Sequence, residues 1–415
     1  MTDLPGREND PNENPFAMFG NPEQMAQAMR QFADMLSAPQ GSGPVNWDMA
    51  KNIARHAVVA DGDPSVMEGE RRQITDALSL ADLWLNEATE LPSGVSSPQA
   101  WSRSEWIENT VPVWRKLCEP IAAQMVETMS GTLSGPGLPA EAQQMAGPLL
   151  GMMRQMGGMM VGQQIGQALG SLAREVVGTT DIGLPLSDTA ALLPGGVASF
   201  SDGLELPADE IRLYLALREA AHHRLFQHVP WLRSHLLGAV EEYAKGITVD
   251  TSALEEQIRG LDLGNPQAIQ EALSGGGLLK PEETERQKAA LARLETMLAL
   301  VEGWVATVVD AAADGKLPSA GALAETVRRR RASGGPAELT FGTLVGLELR
   351  PRRLREAAAL WRALEADRGL DGRDAVWGHP DLMPRAEDLD DPEAFVKGES
   401  AWDISKLDEP GKDPE

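Results

Sequence analysis

The sequence has 415 residues, of which 42% are hydrophobic and 24% are charged, so it can bury a core of ordinary size. Its 37 basic and 62 acidic residues give a formal net charge of -25, which argues against nucleic-acid binding because most of the surface would repel a polyanion. The single cysteine, Cys118, excludes an intramolecular disulfide and a cysteine-rich metal cluster.

Residues 1–44 are expected to lie outside the main domain. Residues 1–20 are rich in Asn, Pro, Gly and Asp and are predicted to be disordered. A short amphipathic helix should follow, capped by Asn21 with Pro22 at its first position, and the linker 38–44 tethers it. Such a helix either folds back onto its own domain or docks on a protein partner. With no signal-peptide pattern and no apolar stretch of about 18 residues, we expect a cytoplasmic protein without a membrane partner.

A helical domain is expected over residues 45–386. Tyr and Phe, which favour strands, number only 2 and 7, so the core must rest largely on Leu, Ala, Val and Met. Apolar residues recur at helical spacing over 208–227 and 282–313, which predicts two long helices. Strand character is confined to the segment near 338–350, so the predicted fold is mainly α with at most one small sheet there. The Asp-, Glu- and Pro-rich remainder, 387–415, is predicted to be an acidic tail.

Residues 142–178 combine methionines with glycines at four-residue intervals. Gly158, Gly162, Gly166 and Gly170 would share one face of a helix, although each glycine costs about 1 kcal/mol of helix stability relative to alanine. This spacing predicts that another element approaches that face closely, as in a tightly packed central helix. Arginine and glutamine interrupt the apolar run, so a membrane span is not expected. The methionines could fill the core or line a ligand groove.

A short motif lies on the helix predicted over 208–227. Arg218 and His222 are four residues apart and share one face, and Glu219 lies between them. This is the spacing of the H-E-x-x-H motif, in which two histidines bind Zn²⁺ and the glutamate activates the metal-bound water. Here Arg218 stands at the first histidine position, and the bare pattern R-E-x-x-H occurs often by chance.

The wider sequence around this motif resembles the zincin-like hydrolases of actinobacteria, a zinc-dependent metallopeptidase family related to a set encoded near coenzyme F420 biosynthesis. The resemblance runs from VNWDMAKNIA near residue 45 to RDAVWGHPDLMP near residue 384. Its most specific segments are GQALGSLAREVVGTTDIGLPL, LREAAHHRLFQHVPWLRSHL and ALVEGWVATVVD, at 166–186, 217–236 and 299–310. The resemblance implies a zincin-like helical domain with zinc as cofactor, which would hydrolyse an amide bond of a peptide or a small molecule.

The resemblance also implies a role for each matching residue. Glu219 would be the general base and His222 a zinc ligand. A later E-G-H segment of the family is matched by E-G-W at 302–304, so its glutamate, Glu302, would be the distal carboxylate ligand. Asp310 would orient a metal-bound group from outside the coordination sphere.

Two positions depart from the family pattern, because Arg218 replaces the first histidine and Trp304 replaces the histidine of the E-G-H segment. An arginine has no free lone pair for a metal, and one histidine with one glutamate is too few for a tight tetrahedral site. A further ligand would have to come from elsewhere in the chain. The candidates are His223, His228, His235, Glu242 and His379.

In an alternative interpretation, Arg218 supplies the positive charge that a metal ion would otherwise supply. Its guanidinium could pair with Glu219 or Glu302 in a bidentate contact, since a buried carboxylate without a metal needs a positive partner. On this hypothesis the chain is a non-catalytic member of the fold that binds a partner through its cleft or its Gly- and Met-rich helix. The sequence therefore leaves a hydrolase and a binding scaffold open.

Two further features could carry chemistry. Arginines cluster at 328–331 and 350–355, where they could bind a phosphate-bearing or acidic ligand or form salt bridges with the abundant carboxylates. Cys118 follows Leu117 on an apolar helix, so a buried inert thiol is expected rather than a nucleophile.

Overall fold

The computed structural model describes residues 43–133, 140–245, 284–332, 342 and 353–398, without the side chains of 124–156, 244–245 and 332. The predicted N-terminal helix lies outside the described residues, and so does the segment with strand character near 338–350 apart from residue 342.

The described residues form eleven α-helices joined by loops and short 3₁₀ turns. The helices are α1 (Trp47–Ala60), α2 (Glu68–Leu85), α3 (Arg103–Leu133), α4 (Ala140–Glu175), α5 (Pro194–Ser201), α6 (Ala208–His228), α7 (Pro230–Lys245), α8 (Glu285–Ala313), α9 (Ala320–Ala332), α10 (Leu354–Ala375) and α11 (Pro392–Val396). Two strands, β1 (Gln99–Ala100) and β2 (Ala191–Leu192), pair in parallel. The prediction of a mainly α-helical domain is confirmed.

The sheet that the structure describes lies far along the chain from 338–350. It joins the loop before α3 to the loop between α4 and α5, and β2 packs against α6. Each strand has two residues, so neither carries the alternating pattern that identifies a strand in a sequence. Backbone hydrogen bonds extend the pairing on both sides, from Trp101 to Leu192 and from Leu193 to Val177.

Helix α4 lies very close to α1 where the glycines recur. A Cβ atom on Gly166 would lie 2.6 Å from the carbonyl oxygen of Ala50, and one on Gly170 would lie 2.9 Å from the Cβ of Ala57. A Cβ on Gly162 would lie 2.8 Å from a backbone oxygen just before α1. The close approach predicted from the glycine spacing is therefore confirmed for these three glycines. Most of the methionine cluster lies outside the described side chains.

Helices α6 and α8 form the centre of the described domain. Helix α8 begins at a capping box in which Thr284 and Gln287 satisfy each other's backbone N–H groups. Gly303 lets α10 approach α8, since a Cβ there would lie 2.7 Å from the Cβ of Ala357. By length and composition alone α8 could cross a membrane, but 78% of its apolar stretch is buried inside the fold, as for a core helix.

Residues 387–398, where the acidic composition begins, are part of the packed structure. Glu387–Leu389 forms a 3₁₀ turn in which Leu389 is 2% exposed, and α11 follows. Phe395 of α11 packs against the core. The change to acidic composition therefore occurs before the packed structure ends.

Candidate functional site

Helix α6 places two pairs of polar side chains inside the protein. Of its 21 residues 13 are buried, including Glu219, His222 and His223. Arg218 and His222 share one face because they are four residues apart, and this face meets α8. Glu219 and His223 share the next face, about 100° around the helix, and meet the loop between α4 and β2.

On the first face, both carboxylate oxygens of Glu302 from α8 are occupied. Arg218 donates from Nη2 to Oε2 at 2.6 Å, and Nη2 of Arg331 on α9 forms an ion pair with Oε1 at 2.8 Å. His222 Nε2 lies 3.0 Å from Oε1. The side chains of Glu302 and His222 are each 2% exposed, so the contacts are shielded from water. We call these four residues the Glu302 cluster.

The ring of His222 lies between two hydrogen-bond acceptors. Its Nδ1 is 2.8 Å from the carbonyl oxygen of Arg218, and its Nε2 faces the carboxylate of Glu302. Each ring nitrogen therefore faces an oxygen atom of the protein, so His222 would have to exchange one of these partners to bind a metal.

The charges of the Glu302 cluster support one another. Burial by itself would raise the pKa of Glu302, but Arg331, His222 and Arg218 hold that pKa well below the usual range of a glutamate. Burial would likewise lower the pKa of the Arg218 guanidinium, and the adjacent Glu302 carboxylate raises it. The cluster therefore consists of a carboxylate and guanidinium ions at neutral pH.

On the second face, Glu219 accepts hydrogen bonds from the loop before β2. Thr180 donates its backbone N–H at 3.2 Å and its hydroxyl at 2.6 Å to Oε2. Thr179 donates its backbone N–H at 3.0 Å and its hydroxyl to Oε1. His223 Nε2 lies 3.3 Å from the same oxygen and 3.0 Å from the Thr179 hydroxyl. A residue that is 3% exposed thus has both carboxylate oxygens satisfied.

These contacts make Glu219 a structural anion. Burial would raise its pKa, but the hydrogen bond and the charge of His223, together with the threonine hydroxyls, lower that pKa to about 2. A general base works best with a pKa near the working pH and within reach of the substrate. In the described part of the chain no hydrogen bond or ion pair joins Glu219 to His222 or Glu302. Of the three residues matched to the family's site, His222 and Glu302 contact each other, and Glu219 has different partners.

Trp304 and Asp310 also lie on α8, Trp304 on the side away from Glu302 and Asp310 near Arg218 of the Glu302 cluster. Positions 302 and 304 are about 200° apart around a helix, so Trp304 faces α10, where its Nε1 donates to Asp374 at 2.8 Å. Asp310 is half-buried about two turns further along; burial raises its pKa, and three nearby arginines lower it. Among the described residues it makes no hydrogen bond with His222, the ligand that it would orient.

The other candidate ligands are engaged elsewhere. His223 contacts Glu219, His228 contacts the carbonyl of Ser93, His235 packs edge-on against Trp231, Glu242 pairs with Arg286 and Arg293, and His379 is exposed beside Asp381. Within the ranges that the structure describes, no three His, Cys, Asp or Glu side chains are arranged to hold a metal ion.

The donor set around Glu302 does not fit a zinc ion. Zinc needs three or four neutral or anionic donors that converge on one point. Here Arg218, Arg331 and His222 converge instead on one carboxylate, and the two guanidinium groups do not lose their protons near neutral pH. Zinc bound through Glu302 and His222 would require both arginines to move.

Arg331 is a residue of the site that the sequence analysis did not single out. Four consecutive arginines predict a charged surface, because successive helical positions point about 100° apart. In the structure the run divides: Arg328 and Arg329 pair with Glu325 on α9 itself, which agrees with the salt-bridge interpretation. Arg330 and Arg331 donate to backbone carbonyls at and beyond the end of α4, and they also form ion pairs with Asp181 and Glu302.

Thr179 and Thr180 were also outside the predicted site, although they belong to the segment 166–186 that carries the family resemblance. The residue before them, Gly178, must be small, because a Cβ there would lie 2.5 Å from Oε2 of Glu219. The sequence Gly-Thr-Thr could have indicated this contact with a buried glutamate. The glycine permits a close backbone approach, and the two threonines offer four hydrogen-bond donors, two N–H groups and two hydroxyls.

Cys118 is 1% exposed. Burial, with a smaller effect of the neighbouring Glu119 carboxylate, raises the pKa of its thiol to about 12. The prediction of a buried thiol is confirmed. Because the thiolate is the nucleophilic form, the raised pKa agrees with the expectation of an inert thiol.

Two open cavities lie on the surface. One of about 650 Å³ lies between α2, α5 and the start of α6, and another of about 350 Å³ lies between α2, α6 and the loop after α8. Arg212, which donates to Gln73 at 3.1 Å, lines both. Glu219, His222 and Glu302 line neither of the two. These cavities therefore do not form a substrate cleft at the predicted catalytic residues.

Comparison with known proteins agrees with the fold. The family model described as zincin-like metallopeptidase matches residues 45–396. A crystal structure from Chloroflexus aurantiacus, of a protein described as a candidate hydrolase with a novel fold, is similar over 88% of this chain and 100% of that chain. The TM-score is 0.59 and the sequence identity is 20%, a level at which the similarity shows the fold alone. No curated protein matches the chain.

Proposed function

The chain belongs to the zincin-like metallopeptidase family, and we propose that it is a non-hydrolytic member in which arginine replaces the charge of the metal. The occupancy of Glu302 carries this proposal. Arg218 takes one carboxylate oxygen, and Arg331 and His222 take the other. A carboxylate enclosed in this way would have to exchange its partners before it could bind a metal.

The position of Arg218 supports the same conclusion. It stands at the first position of the H-E-x-x-H pattern, and its guanidinium contacts the carboxylate that would be the distal ligand. Its side chain is 11% exposed, so salt screens this contact much less than a surface ion pair. Arginine keeps its charge at every physiological pH, so it is a permanent cation, whereas a bound metal ion can exchange.

Without a hydrolytic centre, we infer that the domain acts by binding a protein or peptide. The Glu302 cluster connects α6, α8 and α9, three segments that are distant in the sequence, around one buried carboxylate. A net charge of -25 favours a basic partner over nucleic acid or an anionic membrane surface. A cytoplasmic location and docking through the predicted N-terminal helix are parts of this proposal that rest on the sequence.

A hydrolase is the second candidate function. The family match over 45–396 and the hydrolase description of the structural neighbour favour it. In that case Glu219 would be the general base, His222 and Glu302 would hold zinc, and the substrate would be a peptide or a small-molecule amide. It requires both arginines to leave Glu302 and Glu219 to release the loop before β2.

Metal content distinguishes the two candidates. Protein purified without a histidine tag would be incubated with equimolar zinc, desalted and analysed by elemental mass spectrometry. The comparison variants are His222→Ala, Arg218→His with Arg331→Gln, and that pair with His222→Ala added. We expect no stoichiometric zinc in the native protein, and uptake in the paired variant that His222→Ala abolishes. Stoichiometric zinc in the native protein that is lost in His222→Ala would overturn the proposal in favour of the hydrolase.

A further inference from the structure

Arg331 makes two contacts that together define an acceptor site for a guanidinium group. Its Nη2 forms an ion pair with Oε1 of Glu302 at 2.8 Å and donates to the backbone carbonyl oxygen of Asp181 at 2.7 Å. One acceptor is anionic and the other is a fixed backbone dipole, and they come from α8 and from the loop after α4. The side chain of Arg331 is 13% exposed, so it lies at the outer edge of the Glu302 cluster.

Arg331 is held by a lightly anchored helix. Of the described side chains of α9, Leu323 and Ala324 are buried in its first half, and the partly buried Val327 packs against the core in its second half. Beyond Val327 the helix is held by contacts of its arginines, among them Arg330, which lies over the ring of Phe200 at 5.7 Å. A segment with few buried apolar contacts opens locally at low free-energy cost. The end of α9 can therefore leave while the rest of the domain stays folded.

Arg218 does not share this property. It lies in the middle of α6, a helix of which 13 of 21 residues are buried, so its backbone is held by the centre of the domain and not by a helix end. Of the two arginines on Glu302, Arg331 is thus the exchangeable one. Removal of Arg331 would leave Oε1 of Glu302 and the Asp181 carbonyl as acceptors near the surface.

We propose that Glu302 and the Asp181 carbonyl form an arginine-binding site that Arg331 fills within the chain, and that an arginine side chain of a protein or peptide partner can replace it. The inference rests on the proposed function, since it requires Glu302 to be free of metal. A guanidinium suits the site because it presents several N–H donors in one plane to two acceptors. A lysine ammonium is a compact and strongly hydrated charge, so it should bind less well.

The test measures rescue of an emptied site. The variant Arg331→Ala removes the internal arginine, and Arg329→Ala is the matched control, because Arg329 is 79% exposed and its ion-pair partner in the described part of the chain is Glu325 on the same helix. Thermal unfolding is followed while N-acetyl-arginine amide or N-acetyl-lysine amide is added at constant ionic strength. We expect Arg331→Ala to lower the midpoint by about 3–8 °C, as for loss of one partner of a largely buried ion pair. Arg329→Ala should leave it unchanged.

The arginine amide should then raise the midpoint of Arg331→Ala in a saturable manner, with a much smaller effect on the native protein and on Arg329→Ala. Calorimetric titration should show at least about tenfold tighter binding of that probe to Arg331→Ala than to the native protein, equivalent to about 1.4 kcal/mol. If Arg331→Ala does not fold, Arg331→Lys keeps the charge and is titrated instead. Equal responses of variant and native protein, or equal binding of the lysine amide, would overturn the inference.

The zinc measurement on the same preparations keeps the two proposals apart. Metal-free native protein with no arginine-specific rescue of Arg331→Ala contradicts the arginine-binding site alone. Stoichiometric zinc in the native protein contradicts the proposed function, and with it the premise that Glu302 is free to accept a guanidinium.

Discussion

Arg218 and Glu302 are 84 residues apart in the sequence, yet Nη2 of the first lies 2.6 Å from Oε2 of the second. The contact joins α6 to α8 at the centre of the domain. Burying two ions removes their hydration, so such a pair adds little net stability compared with well-packed apolar residues. Its effect is to make the buried carboxylate tolerable, because Glu302 can remain ionised in the core only while cations surround it.

Arg218→Met should therefore destabilise the protein. Removing one partner of a buried ion pair costs about 3–5 kcal/mol, and Arg331 and His222 should keep the loss near or below the lower value. The free energy of unfolding in urea at neutral pH measures the effect. Adding Glu302→Gln to this variant removes the carboxylate charge that has lost one of its cations. The double variant should therefore recover part of the lost free energy of unfolding. If Arg218→Met unfolds at the same urea concentration as the native protein, the role assigned to this pair is contradicted.

Glu219 should make stability depend on pH in the acid range. Its pKa is about 2 in the folded protein against an ordinary value of 4.5. Because the folded value is the lower one, its contribution is complete above the ordinary pKa and is lost as pH falls from about 4.5 towards 2. The difference corresponds to roughly 3 kcal/mol at neutral pH.

Glu219→Gln isolates this contribution. Urea unfolding of the native protein and the variant at neutral pH and at several acidic pH values gives the difference between their free energies of unfolding. That difference should be largest at neutral pH and should narrow across the acid window, since the native carboxylate becomes protonated there. A difference that stays constant with pH would mean that Glu219 is not an ionised anchor.

The contact between α1 and α4 gives a pair of matched glycine substitutions. Gly166→Ala should destabilise the protein by about 1–3 kcal/mol, because the added Cβ would lie 2.6 Å from the carbonyl oxygen of Ala50. Gly157→Ala on the same helix has nothing within 4 Å of the added Cβ, so it should be neutral or stabilise by up to about 1 kcal/mol. Thermal unfolding compares them, and equal effects would argue against the close packing.

Trp304→His restores the histidine of the family's E-G-H segment but should not create a zinc site. Trp304 is fully buried and its Nε1 donates to Asp374, on the side of α8 that faces away from Glu302. The loss of this large side chain should cost about 3–5 kcal/mol. Elemental mass spectrometry and thermal unfolding check both parts. Zinc uptake by Trp304→His, but not by the partly exposed control Trp84→His, would contradict the orientation assigned to Trp304.

Patterns that depend on neighbours along the chain were sufficient to predict much of this molecule. The leucine- and alanine-rich helices, the glycine face of α4 and the shared face of Arg218 and His222 all follow from helical periodicity. Arg218 contacts Glu302, one of the two carboxylates that were expected as its partner. The contact is a single hydrogen bond, whereas a bidentate contact was expected. Local spacing could not decide between the two carboxylates.

Contacts between distant segments could not be predicted in this way. Arg331 and Arg329 belong to the same run of arginines, and nothing in the run distinguishes the one that reaches Glu302 from the one that remains exposed. The difference depends on how α9 packs, which is set by Leu323 and Ala324. The two threonines that bind Glu219 likewise depend on the path of the loop after α4, which no periodic pattern encodes.

The residues of the Glu302 cluster are also synthesised in a fixed order. Because a ribosome makes the chain from its N-terminus, Arg218 and His222 are synthesised before Glu302, and Arg331 follows it. Glu302 thus enters the growing chain when two of its partners already exist, so it need never be buried without a counter-ion during biosynthesis. The last partner to be made is the one at the outer edge of the cluster, where a guanidinium can arrive after the interior has closed.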